Sequence, residues 1–525
     1  MAFKDNGKIS TVSYGQGNAG NINVSAENIA IEQGTIESFA RDGAIGNSGN
    51  ITVNSLNDLV LGDFSEIQAQ VFNDATGNVA DVLINARSIV LNEFSFIQAD
   101  VGSGVTANAG NIIINAQSIE LNGKLSLIIS QVQSESIGNA GEIKITAPNL
   151  SLSDFSLIST NVKENSLGKA GSIFIDVDNL NITSGGVIDA LTENNFDGGN
   201  ITIDANNINL SDGGKIVTSG NSRGNAGNIQ LNVANKISIN NTKAPADSPF
   251  FKPILQNTVL ESGIFASSVE GSTGNGGNIN IMSGSIDFIN QGSIAAVTQA
   301  GEGGNISLVV ADKLSLDNNS LISAQAFNNA NGGNLTIDTQ FIVAYPNTNS
   351  DILASAQQGQ GGNITIDAES LFGIDQRPLN DVTNDINASS LVKGLDGTIE
   401  INNANTTNIE DVIELPTNLI EPQQTTAQAC QANKEAAANN RLLIRGKGGV
   451  PASPEQPLVS QNIALNGQYI NTINTVPKLI ETSVGKIQLA RGIKINKSGG
   501  VVLTAYPTNS VGERVPPARA NCNQI

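Results

Sequence analysis

The sequence predicts an all-β protein, a right-handed parallel β-helix of about thirteen coils followed by a small C-terminal module. Three observations carry this. A Gly-x-(Ala/Gly)-Gly-Asn-Ile motif recurs along most of the chain, the residues after each copy alternate apolar and polar, and no helix-length amphipathic segment intervenes. The motif appears as GNAGNI ending at Ile22, GNSGNI at Ile51, GNAGNI at Ile229, GNGGNI at Ile279, GEGGNI at Ile306 and GQGGNI at Ile364. Its small residue serves as an anchor at Gly20, Gly49, Ala80, Gly110, Gly141, Gly171, Gly199, Gly227, Gly277, Gly304, Gly333, Gly362 and Gly397. Most intervals are 27 to 31 residues; those ending at Gly277 and Gly397 are 50 and 35.

Each copy reads as three short strands. The first follows the anchor as Ile-x-Ile, as in Ile22/Val24 and Ile201/Ile203, with a polar residue such as Asn23 or Thr202 between. A second follows a two- to four-residue corner, as in Ile29/Ile31 and Ile208/Leu210. The third pairs an apolar residue with a small one, as in Ile67/Ala69 and Ile188/Ala190, which suggests a tight interior corner. Strands this short bury too little to stand alone. Stacked about 4.8 Å apart they bury one another's faces, and thirteen coils make a rod of roughly 60 Å. Right-handedness follows from the general chirality of parallel connections. A propeller needs more strands per repeat, and a leucine-rich repeat needs its own consensus. The Asn after the anchor reads as a turn residue tolerant of left-handed backbone, its amide laddering to the same amide of adjacent coils.

The repeat region spans 1–404, with an insertion at about 240–262. Residues 7–22 match the end of a repeat, so the chain is expected to begin at a third strand, without a cap before Ile9. That favours a C-terminal fragment of a longer protein. The insertion contains Pro245, Pro249 and Pro253, which oppose strand pairing, and Phe250 and Phe251, a candidate apolar contact tip. Residues 405–429 are rich in Pro, Gln and Thr and read as a linker. A module over 430–525 is bracketed by Cys430 and Cys522, a candidate disulfide; two free buried thiols are the alternative.

Composition excludes several functions. The balance of 27 basic and 48 acidic residues gives −21, a poor surface for nucleic acid. Histidine is absent, which removes imidazole acid–base chemistry and ligation. Two cysteines cannot build a four-thiolate zinc site, and no apolar run is long enough to span a bilayer. The first residues, MAFKDNGKIS, contain no signal-peptide hydrophobic stretch. Arg445-Gly446-Lys447-Gly448-Gly449 lacks the spacing and hydroxyl of a phosphate loop, and the calcium-binding nonapeptide does not occur. One carboxylate pattern stands out. Asp176 with Asp204, and Asp338 with Asp367, sit five residues after neighbouring anchors, outward and about 4.8 Å apart, with solvated separation the expectation. A polysaccharide lyase or hydrolase would need clustered carboxylates with basic and aromatic subsites, and none is legible. No catalytic residue, metal or cofactor is expected.

The chain resembles the C-terminal portion of the filamentous-haemagglutinin-like exoproteins of cyanobacteria. The resemblance rests on the GNAGNI-type coils, on Ile444 to Pro454 (IRGKGGVPASP), on the strand-like Gly499 to Ala505 (GGVVLTA) and on Cys522-Asn523. It covers nearly the whole chain. It implies two-partner secretion, in which an outer-membrane transporter recognises an N-terminal secretion domain absent from this sequence. It also implies an extracellular or outer-surface location and an adhesive or structural role, with an extracellular glycan or cell-surface ligand as partner. A carbohydrate-active β-helix enzyme is the alternative.

Overall fold

The computed structural model describes residues 1–241, 262–268, 271–346 and 348–403, and beyond these only short strand segments between 463 and 504. The chain divides into two compact units, Met1–Thr407 and Asn408–Ile525. In the second, three antiparallel pairs are described: Ile463–Leu465 with Gln468–Ile470, Glu481–Thr482 with Gly485–Lys486, and Gly492–Ile495 with Val501–Thr504. Val501–Thr504 of the last pair falls within the predicted closing strand Gly499 to Ala505, whose other residues lie outside the described ones. The linker 405–429, Cys430, Cys522, Phe250 and Phe251 all lie outside the described residues.

The first unit is a parallel β-solenoid of about 12 turns, with no helix among the described residues. Its anchors follow from packing. Apolar residues immediately after the anchors stack in register: Ile173 pairs with Ile201, Ile201 with Ile229 and Ile229 with Ile279, all buried. Each fully buried Ile contributes roughly 1.5–3 kcal/mol. One continuous core runs the length of the unit.

The anchor is glycine because adjacent coils nearly touch there. A Cβ on Gly227 would lie 1.8 Å from the Gly199 carbonyl oxygen, and one on Gly49 2.1 Å from that of Gly20. The predicted interior corner is present: Ala69, Ala190 and Ala324 are fully buried, and Gly333 N–H donates to the Ala324 carbonyl at 2.8 Å. Where this corner carries a hydroxyl, it bonds the anchors instead. Ser130 Oγ accepts from Gly141 N–H and donates to the Gly110 carbonyl, both at 2.9 Å.

Three expectations are corrected. First, the three strands of a coil form two sheets, one of 18 strands and one of 14, because the first two strands belong to the same sheet. They are separate in the early coils, as in Ile22–Ala26 and Ile29–Glu32, and fuse from Ile143–Leu152 onward, reaching 12 residues in Ile229–Asn240. The expected corner becomes a bend within one strand, with register shifts at Ala205/Asn207, Val233/Lys236, Ser283/Ser285 and Val310/Lys313. Second, the motif asparagines are not in left-handed backbone. The expected amide ladder is present in part, Asn228 Nδ2 donating to Asn200 Oδ1 at 3.3 Å and Asn305 Nδ2 to Asn278 Oδ1 at 3.0 Å, while the recurrent bond runs to the backbone of the next coil. Asn228 Oδ1 accepts the backbone N–H of Asn278 at 2.9 Å, and Asn278 Oδ1 that of Asn305 at 3.0 Å. A second row does the same three residues earlier, Asn18 Oδ1 accepting from Asn47 N–H at 2.9 Å. In most coils the turn leaves a backbone donor without a backbone partner, and the side chain of the coil below satisfies it. Third, Ala2–Phe3 forms a short strand against Ala30–Ile31, so the described chain starts within a second strand, before the third strand Lys8–Ser13.

The insertion leaves after Asn240 and returns at Ser262, and its base is closed. Ser262 N–H donates to Asn241 Oδ1 at 2.9 Å, and Ser262 Oγ donates to the Asn240 carbonyl at 3.0 Å.

Candidate functional site

The bend in the fused strands forms a shallow longitudinal groove on the outside of the solenoid. Alternation along the strand decides which residues line it: Ile175, Val177, Ile203 and Ala205 point inward, so Asp176, Asp178 and Asp204 point out. Parallel register then stacks the outward residues into a column, Asp176, Asp204, Asn232, Met282, Val309, Asp338, Asp367 and Asn402. The groove opens into two contiguous clefts of about 590 and 650 Å³, which share Val309 and Ala311. The register shifts fall beside this column and sharpen the bend there.

Both predicted carboxylate pairs are therefore real neighbours, Asp176 opposite Asp204 and Asp338 opposite Asp367, and all four are exposed. One member of each pair is held by an amide of the next coil. Asp204 Oδ1 accepts from Asn232 Nδ2 at 2.7 Å, and Asp367 Oδ1 from Asn402 Nδ2 at 2.8 Å. Asp178 similarly accepts from Asn206 at 2.8 Å. Among the described residues no group of three or more carboxylates or thiols is arranged to hold a metal ion. The middle of the column is apolar, Met282 being 50% and Val309 46% exposed. Carboxylates and amides thus flank an apolar step, an arrangement suited to hydroxyl-bearing or ammonium-bearing chains lying along the axis. The sequence shows the Asp pairs, whereas the groove depends on strand fusion, which alternation alone does not reveal.

Charged groups that composition did not single out lie elsewhere. Near the last coils Asp385 is fully buried; it accepts from Arg377 Nε at 2.7 Å, Thr383 Oγ1 at 2.8 Å and Asn380 N–H at 2.7 Å. Beside it, burial pushes the Asp351 carboxyl up to about 6, opposed by the backbone N–H of Asp385. The residues that lengthen this repeat include Arg377, and the cluster fastens that excursion to the solenoid. Two more carboxylates, outward on the 14-stranded sheet, are buried. Burial raises Asp100 to about 7 against the hydrogen bonds of Gln131, and Asp189 to about 7 against the Ser159 hydroxyl and Lys163.

No protein-family model, curated protein or solved structure matches this chain. Among the described residues no helix is long and apolar enough to cross a membrane.

Proposed function

We propose that this chain is the β-helical part of a secreted or cell-surface exoprotein, haemagglutinin-like, that adheres to extracellular polysaccharide without turning it over. The observation that supports this is the groove column, in which carboxylates and amides repeat at coil spacing along the solenoid. A sugar chain presents polar hydroxyl edges and apolar ring faces, matching a track of Asp and Asn with Met282 and Val309 at its centre. Distributed contacts of this kind favour binding an extended polymer over converging on one scissile bond. Export through an outer-membrane transporter belongs to the same proposal and rests on the resemblance of the coils and of Ile444 to Pro454.

The test is co-sedimentation of the purified chain with insoluble neutral and amino-sugar polysaccharides, alongside a reducing-end assay. Saturable retention is expected, weakened at least fivefold by Asp204→Ala with Asp367→Ala, and reducing ends stay constant. Release of reducing or unsaturated sugar would instead support a carbohydrate-active enzyme. Retention unaffected by both substitutions would remove the groove from the proposal.

A further inference from the structure

At the corner that precedes the third strand, the backbone of nearly every described coil turns through left-handed space. The position two residues before that strand's first paired residue has positive φ at Gln33, Gly185, Gly213, Gln291, Asn319 and Asn349. Gly and Asn are the residues that adopt this conformation at little cost. Four successive coils place a bulky apolar residue there. Phe64, Phe94, Leu125 and Phe155 occupy the same position with φ of 57°, 55°, 59° and 62°. A bulky residue there costs on the order of 1–2 kcal/mol. None of the four belongs to the core, and Phe64 is 62% exposed.

Core packing therefore does not explain them. Stacking offsets part of the cost for one pair only, Phe64 on Phe94 with centroids 5.0 Å apart and planes at 2°. Leu125 interrupts the ladder. The next outward column is apolar in three of these coils, with half-buried Phe96, Leu127 and Leu157 paired in register, and Glu66 occupies it beside Phe64. The result is a strip four coils long. Its outer rim is acidic, with exposed Asp63, Glu93 and Asp154 each one residue before a strip residue and Lys124 the exception.

We propose that this strip is a docking surface for a protein segment whose apolar face is bordered by Lys and Arg. The acidic rim selects that partner by charge complementarity. It opposes a second copy of this chain, whose rims would repel, and an anionic lipid surface, which the net charge of −21 also repels. The strip is separate from the groove and independent of what the groove binds.

The test uses the full chain and three synthetic twelve-residue peptides, alternating Leu–Lys, Ser–Lys and Leu–Glu, with binding followed by fluorescence anisotropy. Leu–Lys is expected to bind saturably and the other two at least tenfold more weakly. The quadruple variant Phe64→Asn, Phe94→Asn, Leu125→Asn, Phe155→Asn should lose that binding at least tenfold without a lower melting temperature, because Asn already occupies this corner at Asn319 and Asn349. A rim variant, Asp63→Lys with Glu93→Lys and Asp154→Lys, should shift preference to Leu–Glu. Equal binding of Ser–Lys, or unchanged binding by the quadruple variant, overturns the proposal. So does self-association in sedimentation, or attachment to phosphatidylcholine vesicles, that the quadruple variant abolishes.

Discussion

A single methyl group decides whether two coils can stack at the anchor. The Cβ of Gly227→Ala would meet the Gly199 carbonyl at 1.8 Å, with backbone and no flexible side chain to yield. Thermal denaturation should show a loss of at least about 2 kcal/mol. Gly15→Ala, with nothing within 4 Å of the new Cβ, should be close to neutral. Asn228→Ala leaves the Asn278 N–H without its acceptor and should cost about 1 kcal/mol. Asn228→Asp keeps the oxygen and should cost less. The buried carboxylates set a pH dependence. Asp100 and Asp189 titrate near 7 in the folded chain because burial disfavours their charge, and near 4 when unfolded. Between those values the folded state binds more protons, so their contribution is fully present below about pH 4 and is lost as pH rises through 7. The melting temperature should therefore be higher at pH 5 than at pH 8, and Asp100→Asn with Asp189→Asn should flatten that difference.

Elements inherit their behaviour from these residues. Alternation and anchor spacing made the strands, their parallel stacking and the outward Asp pairs legible in the sequence, because each repeat samples the same environment. Strand fusion was not legible: whether Val177-Asp178-Asn179 turns a corner or bends within a ladder depends on the coil beneath, which pairs Val177 with Ala147 and Asn179 with Asn149. The motif asparagines are legible only in part for a related reason: the amide ladder forms at Asn200–Asn228 and Asn278–Asn305, but the left-handed backbone does not. Asn is common in left-handed turns, yet here it serves the backbone N–H of the next coil, a partner 27 residues away for Asn278 and 50 for Asn228 across the insertion. The left-handed corner lay instead before the third strand, where Phe64, Phe94 and Phe155 disguised it. Within a fused strand the two faces should respond differently. Ile203→Ala, fully buried between Ile175 and Leu231, should cost about 2–5 kcal/mol, whereas outward Thr202→Ala should stay within about 0.5 kcal/mol.

At the scale of the solenoid, each coil contacts only its neighbours, so stability is close to a sum of coil and interface contributions. Among the described residues Lys8–Ser13 pairs on one side alone, with Thr35–Ala40, while Val187–Thr192 is paired on both. Amide exchange should be faster in the first than in the second. The same linear build gives the molecule two lengthwise surfaces, a polar groove with an apolar step and an apolar strip with an acidic rim. The most direct measurement is an immunoblot of producing cells separated into medium, surface wash and cytosol, with antibody against residues 408–525. An exported adhesive exoprotein predicts the signal in medium or surface wash. A signal confined to cytosol would contradict the account.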